Sequence, residues 1–196
     1  MACHVGRAAS LRRIATVVTE SCSFETARLT VDVWHTASLT GEGAPRLPEV
    51  VGSIMTPAAT RALPAEWQGA YPRSRAVTWI RERDGDGPTH LAIERSSGTA
   101  VGLVILFESA ADDGPDVEVH LGYVLAESAW GQGLGSELVE GFVEWCRGER
   151  QIRSLIGGVA ADNLASVRIL EKNGFRPMDS DVDDADAERM YILRLR

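Results

Sequence analysis

The chain is poor in cysteine, has no long apolar run and is short of positive charge. Its three cysteines, Cys3, Cys22 and Cys146, are odd in number and show no metal-ligand spacing. No disulfide framework and no metal site are therefore expected, and a reduced, cytoplasmic setting is the simplest account. No stretch approaches the roughly 18 consecutive apolar residues of a membrane-spanning helix, so no membrane role is expected. Lys and Arg total 20 against 28 Asp and Glu, a formal net charge of −8. That balance disfavours nonspecific nucleic-acid binding. Arg7, Arg12 and Arg13 precede the first acid, Glu20, yet no apolar core of a secretory leader follows them. Residues 1–23 read as an N-terminal extension, either a flexible tail or the result of a start codon placed too early. There is no internal repeat, and no heptad pattern decides between a monomer and a homodimer.

What is present suits one folded domain: 196 residues, 44% of them hydrophobic. Alternation of Leu29, Val31 and Val33 predicts a strand over 28–34. Leu47, Val50, Val51 and Ile54 predict a helix over 45–55, and Ala76, Val77 and Ile80 another over 74–82. Two strands, 90–95 and 101–108, join at Ser96-Ser97-Gly98-Thr99 as a hairpin. A strand over 117–125 precedes a helix over 136–147, with Leu138, Phe142 and Trp145 at core spacing and Cys146 a core thiol. A strand over 152–160 and a helix capped by Asn163 follow. Gly174 ends that helix, Phe175 begins a strand, and residues 189–196 close the sheet. The order β-α-α-β-β-β-α-β-α-β-β indicates a mixed α/β fold.

The densest signal is Trp130-Gly131-Gln132-Gly133-Leu134-Gly135-Ser136, lying between the strand ending at Leu125 and the helix. A glycine-rich loop between strand and helix suits a pyrophosphate. The glycines permit close backbone approach, and the first helical N–H groups have no internal partner. A Walker loop requires a lysine after its last glycine, but Ser136 stands there. A dinucleotide fingerprint requires Gly-x-Gly-x-x-Gly near the start of a βαβ unit, and this spacing differs.

The loop resembles the acyl-CoA loop, Arg/Gln-x-x-Gly-x-Gly/Ala, of the GNAT N-acetyltransferases. Trp130 stands where Arg or Gln is commonest, as in the ribosomal-protein-alanine N-acetyltransferase-like branch. Asn163-Leu164-Ala165-Ser166-Val167-Arg168-Ile169-Leu170-Glu171-Lys172-Asn173-Gly174-Phe175 resembles that family's second motif. Phe24-Glu25-Thr26-Ala27-Arg28-Leu29 resembles the branch's opening strand. The resemblance implies a GNAT domain over residues 24–196, with a central, twisted, mostly antiparallel sheet, a splayed strand pair and flanking helices. It implies acetyl-CoA as cosubstrate, with no metal. Its pantetheine arm would pair with the backbone of Tyr123, Val124 and Leu125. Its pyrophosphate would lie on Gly131, Gln132, Gly133, Leu134, Gly135 and Ser136, Trp130 and Ser166 would also touch the cofactor, and Asn163 would hold the pantetheine arm or an ordered water.

Acetyl transfer to an amine requires a base for the amine proton, polarisation of the thioester carbonyl and an acid for the leaving thiolate. The resemblance assigns the carbonyl to a backbone N–H near Val124. His120 stands where the family pattern has a Glu that serves as base, and a histidine titrates near neutrality. Glu118, two residues back on the same strand face, would orient His120 or replace it. The family's frequent acid, a Tyr, is replaced by Leu170. The branch's Ser at the position of Ser166 is the other candidate, alongside an ordinary helix-serine role. The acceptor is an amine, a protein N-terminus or a small molecule. An acidic rim at Asp112, Asp113, Asp116 and 179–188 would favour a cationic one, or is simply a solvated loop. Trp67 and Tyr71 would line its pocket or pack. A non-catalytic acyl-CoA sensor is the alternative function.

Overall fold

The computed structural model describes residues 2–3, 18–39, 45–111, 116–178 and 188–196. Strands β1 (Ala2–Cys3), β2 (Phe24–Glu25) and β3 (Leu29–Val33) are followed by helices α1 (Leu47–Ile54) and α2 (Arg73–Asp86). A meander of β4 (Thr89–Glu94), β5 (Thr99–Ala110) and β6 (Val117–Leu125) leads to α3 (Leu134–Gly148). Then come β7 (Ile152–Ala160), α4 (Leu164–Lys172), β8 (Arg176–Pro177) and β9 (Glu188–Arg194). From β3 onward this is the expected order. The sheet runs β2-β3-β4-β5-β6-β7-β9-β8, with β1 attached to β6. Every neighbouring pair is antiparallel except β6 and β7. The fold is the expected mixed α/β arrangement.

Alternation along the central strands sends side chains to two cores. Val104, Leu106, Val119, Leu121 and Tyr123 face α3 and α4, where Leu138, Phe142, Ile169 and Leu170 meet them. Leu91, Ile93, Leu103, Ile105 and Val124 face α1 and α2, where Val50, Val51, Ile54, Ala76 and Ile80 meet them. The buried face of α2 contains Trp79 rather than Val77, and α2 runs four residues past the expected end. Trp79 takes edge contacts from Trp34, Trp67 and Tyr71. These rings fill the space that short side chains on a charge-rich helix leave open. Cys146 is a buried thiol, as expected. Burial pushes its pKa far up, so it is chemically quiet.

Ahead of β2, Val18 and Cys22 belong to the α3-side core. Thr19 donates its backbone N–H and its hydroxyl to Glu108 Oε1, at 2.6 and 2.8 Å. Residues 18–23 are thus tied to the middle of the sheet, while 4–17 lie outside the described residues.

The feature that creates the site is a split in the sheet. β6 and β7 pair from Val117↔Ile152 to His120↔Ile156 and no further. Beyond that point β7 continues on β9 as far as Ala160↔Glu188, while β6 continues on β5 as far as Gly102↔Leu125. One edge of residues 121–125 is therefore released from β7. Beyond the split β7 includes Gly157 and Gly158, paired with Tyr191 and Met190 of β9. β1 enters the gap, pairing Ala2↔Val124 and Cys3↔Tyr123.

Candidate active site

The glycine loop is built from its flanks inward. Trp130 packs against both cores, and its Nε1–H donates to the Leu125 carbonyl at 2.9 Å. The indole thus fastens the loop to the end of β6. Gln132 Nε2 donates to the Ser128 carbonyl at 2.5 Å. Gly131 and Gly133 have φ of +71° and +78°, which glycine alone adopts without strain. Among the described residues, a Cβ on Gly131 would meet nothing within 4 Å, and one on Gly133 would first meet Arg28 Nη2 at 3.7 Å. The space over the loop is open.

The first hydrogen bond closing α3 runs from Glu137 N–H to the Gly133 carbonyl, so the N–H groups of Leu134, Gly135 and Ser136 precede it. No side chain of the N-cap residue caps this end, because that residue is Gly133. Ser136 Oγ is buried with no hydrogen-bond partner among the described residues. An open cradle, an uncapped helix start and an orphaned hydroxyl together fit an anion such as a pyrophosphate.

His120 sits at the vertex of the split, as the last residue of β6 paired with β7. It shares a strand face with Glu118, Gly122 and Val124, the face covered farther along by α1 and α2. Its Nε2 lies 3.1 Å from Ser109 Oγ, and its ring stands edge-on to Phe107. Burial lowers its pKa from 6.5, and the negative charge of Glu118 opposes that shift. The imidazole is therefore neutral at pH 7. When Nε2–H donates to Ser109, Nδ1 carries the lone pair and is the basic atom. Glu118 accepts from Ser154 Oγ at 2.6 Å, so its carboxylate is anchored to β7. The group thus includes Ser109, Phe107 and Ser154, which were not singled out in the sequence. They lie opposite or diagonal to His120 and Glu118 on neighbouring strands, a relation visible only once strand register is known.

Asn163 and Ser166 lie at the start of α4, the helix that follows β7. Asn163 Oδ1 accepts from the Ser166 N–H at 3.3 Å, and Asn163 Nδ2 donates to Ser166 Oγ at 3.0 Å. Ser166 is fully buried. The pair caps α4, the role expected of Asn163. Gly174, with φ of +89°, follows the end of that helix.

The aromatic pair near α2 is occupied by the chain itself. Tyr71 is buried, and its hydroxyl donates to the Trp67 carbonyl at 3.1 Å. Arg75 lies 4.1 Å over the Tyr71 ring and Arg83 lies 4.6 Å over Trp67. These rings pack and hold arginines rather than lining an open amine pocket. Asp112, Asp113 and 179–187, most of the expected acidic rim, lie outside the described residues. No group of three potential metal ligands occurs among the described residues, and none of their helices is long and apolar enough to cross a membrane.

Comparison with known proteins bears on the family and the fold. Residues 46–176 match the acetyltransferase (GNAT) domain model. The fold is similar to that of a GNAT-family acetyltransferase from Bacillus anthracis, with a TM-score of 0.68 and 15% identity over 89% of this chain and 99% of that one. A ribosomal L7/L12 alpha-N-protein acetyltransferase in complex with coenzyme A superposes with a TM-score of 0.63 at 16% identity, over 86% of this chain and 95% of that one. A ribosomal-protein-S5-alanine acetyltransferase from Vibrio fischeri gives 0.55 at 13% identity, over 89% and 97%. At these identities the likeness is one of fold. No curated protein matches the sequence.

Proposed function

Because the chain belongs to the GNAT acetyltransferase family, we propose that it transfers an acetyl group from acetyl-CoA to a primary amine by direct attack. The acceptor is a protein N-terminus or a small-molecule amine. The observation that carries this reading is the continuity of two features. The open glycine loop, with positive φ at Gly131 and Gly133, leads directly into the edge of β6 that the split at His120 releases. A pyrophosphate on the loop and an extended arm along Tyr123, Val124 and Leu125 would follow one path. The backbone N–H near Val124 would polarise the thioester carbonyl.

His120 takes the amine proton through Nδ1, with Ser109 holding the other ring nitrogen. Glu118, anchored by Ser154, stabilises the imidazolium that forms. The amine lone pair attacks the thioester carbon, the C–S bond breaks, and the sulfur leaves with a proton. Ser166, at the start of α4 and held by Asn163, is the proposed donor of that proton, and solvent reprotonates it as His120 gives the amine proton up to solvent. On the acceptor side, Phe107 and the α1–α2 face flank His120. Ala2 and Cys3 pair with Val124 and Tyr123, two of the three β6 residues that the arm would use, so the arm would bind there only when β1 leaves.

Release of free thiol from acetyl-CoA, measured over a panel of peptide N-termini, amino acids and polyamines, tests the proposal. Amine-dependent thiol release supports transfer. Saturable CoA binding without release for any amine contradicts it in favour of a non-catalytic sensor.

A further inference from the structure

The motif Phe24–Leu29 contributes nothing to the chemistry above, yet it reaches the phosphate loop. Residues 26–28 turn between β2 and β3 directly beneath the first turn of α3. There Glu137, only 17% exposed, receives Thr26 Oγ1–H at 2.6 Å and the Arg28 backbone N–H at 2.7 Å. It also receives Arg28 Nε–H at 2.6 Å, and Arg28 Nη2 closes an ion pair with it at 2.6 Å. The same guanidinium donates through Nη1 to the Gln132 carbonyl at 3.0 Å. One side chain thus joins a loop residue before Gly133 to a helix residue after it, and Nη2 lies beside Gly133 itself.

Two consequences follow for an anion in the cradle. Glu137 sits one position beyond the three free helical N–H groups, where an unpaired carboxylate would repel a pyrophosphate. The Arg28 guanidinium, with Nε and Nη2 both on Glu137 Oε2, cancels that charge. The bond to the Gln132 carbonyl also fixes the peptide that leads into Gly133, which has no side chain of its own to restrain it. Burial by itself would raise the Glu137 pKa. Thr26, the Arg28 N–H and the guanidinium together hold it below its usual value, so the carboxylate stays ionised and paired.

We propose that Arg28 is a positioning residue for coenzyme A, neutralising Glu137 and clasping the two ends of the phosphate loop. The inference rests on the reading that this loop holds the CoA pyrophosphate. It is tested by calorimetric titration of the full chain with CoA, using Arg28→Ala, Arg28→Lys, Glu137→Gln and the double variant Arg28→Ala/Glu137→Gln. Circular dichroism and thermal unfolding identify the variants that fold. Arg28→Ala is expected to weaken CoA about tenfold, and Arg28→Lys less, because an ammonium keeps the charge but not the fork. The double variant is expected to bind CoA more tightly than Arg28→Ala, because the uncompensated carboxylate is gone. A purely structural ion pair shows its recovery in thermal unfolding, with folded single and double variants alike in CoA affinity. Wild-type affinity in a folded Arg28→Ala, or a double variant no better than the single, overturns the clasp while leaving the CoA site standing. If the wild type does not bind CoA, the proposed function falls first and the clasp falls with it. Should Arg28→Ala not fold, Arg28→Lys against Glu137→Gln decides: equal wild-type affinity in both overturns the proposal.

Discussion

As the proposed base, His120 would work only as the neutral imidazole, and its surroundings favour that form. Burial lowers its pKa below 6.5, with Glu118 opposing. The acid limb of kcat/KM is therefore expected to fall at a pH below 6.5, and activity drops as His120 becomes protonated. His120→Gln is expected to remove that limb and to lower kcat about a hundredfold, with CoA affinity unchanged. A pH–rate profile of both proteins checks this. Ser166→Ala is expected to lower kcat more than CoA affinity, as a proton donor would and a scaffold residue would not. A second histidine acts on stability instead. His90 is fully buried on β4, and among the described residues neither ring nitrogen makes a good hydrogen bond. Burial holds its pKa down to about 4 from 6.5, against a weaker opposing pull from the backbone of Val104, Thr19 and Cys22. The unfolded chain takes up this proton first as pH falls. Stability from His90 is complete above pH 6.5 and is lost between 6.5 and about 4. The loss is on the order of 3 kcal/mol. Urea unfolding at pH 7.5 and 4.5 is expected to show a smaller difference for His90→Phe than for the wild type.

At the scale of elements, the segment from β6 into α3 links fold to site. β6 and β7 have the bounds their alternation predicts, and α3 starts only two residues before the expected position. These strands are buried on both faces and bounded by turns, so their pattern is complete in the local sequence. What was not legible depends on partners distant in the chain. Trp79 lies on a helix whose charge masks its buried face, and only the neighbouring rings reveal its place. β1, β2 and the turn 18–21 are too short to carry a period. The loop glycines were legible because composition alone marks them, whereas Arg28 and Glu137, 109 residues apart, meet only in three dimensions. Gly141 shows how closely these elements fit. A Cβ there would lie 2.6 Å from Thr26 Cγ2 and 2.8 Å from Phe24 Cε2. Gly141→Val is expected to lift α3 from β2, destabilising the fold by about 1–3 kcal/mol and weakening CoA through the displaced Thr26 and Arg28. Thermal unfolding and calorimetry on the same variant read both effects.

At the scale of the molecule, the sheet divides into two halves joined at the β6–β7 pairing, and the chain's own β1 enters the gap where the proposed CoA arm would lie. That arm would use the edge of Tyr123 and Val124 that β1 occupies, so the two would exclude each other. Substituting Ala2→Pro together with Cys3→Pro removes two backbone donors from β1. In the full chain this is expected to tighten CoA binding several-fold and, in the free protein, to speed exchange of the one amide of the Tyr123–Val124 pair that faces β1. Unchanged affinity would mean that β1 does not compete. The acceptor is the part of the function least visible in either sequence or structure. The loops that would frame it are the least patterned in sequence, and the rings near α2 pack against the chain's own arginines. The most direct test of the account is calorimetric titration of the full chain with acetyl-CoA, alongside a Gly133→Trp variant whose side chain would fill the cradle. The account predicts saturable binding by the wild type and none by the variant. No binding by the wild type, or equal binding by both, would contradict the assignment of this loop and gap to acetyl-CoA.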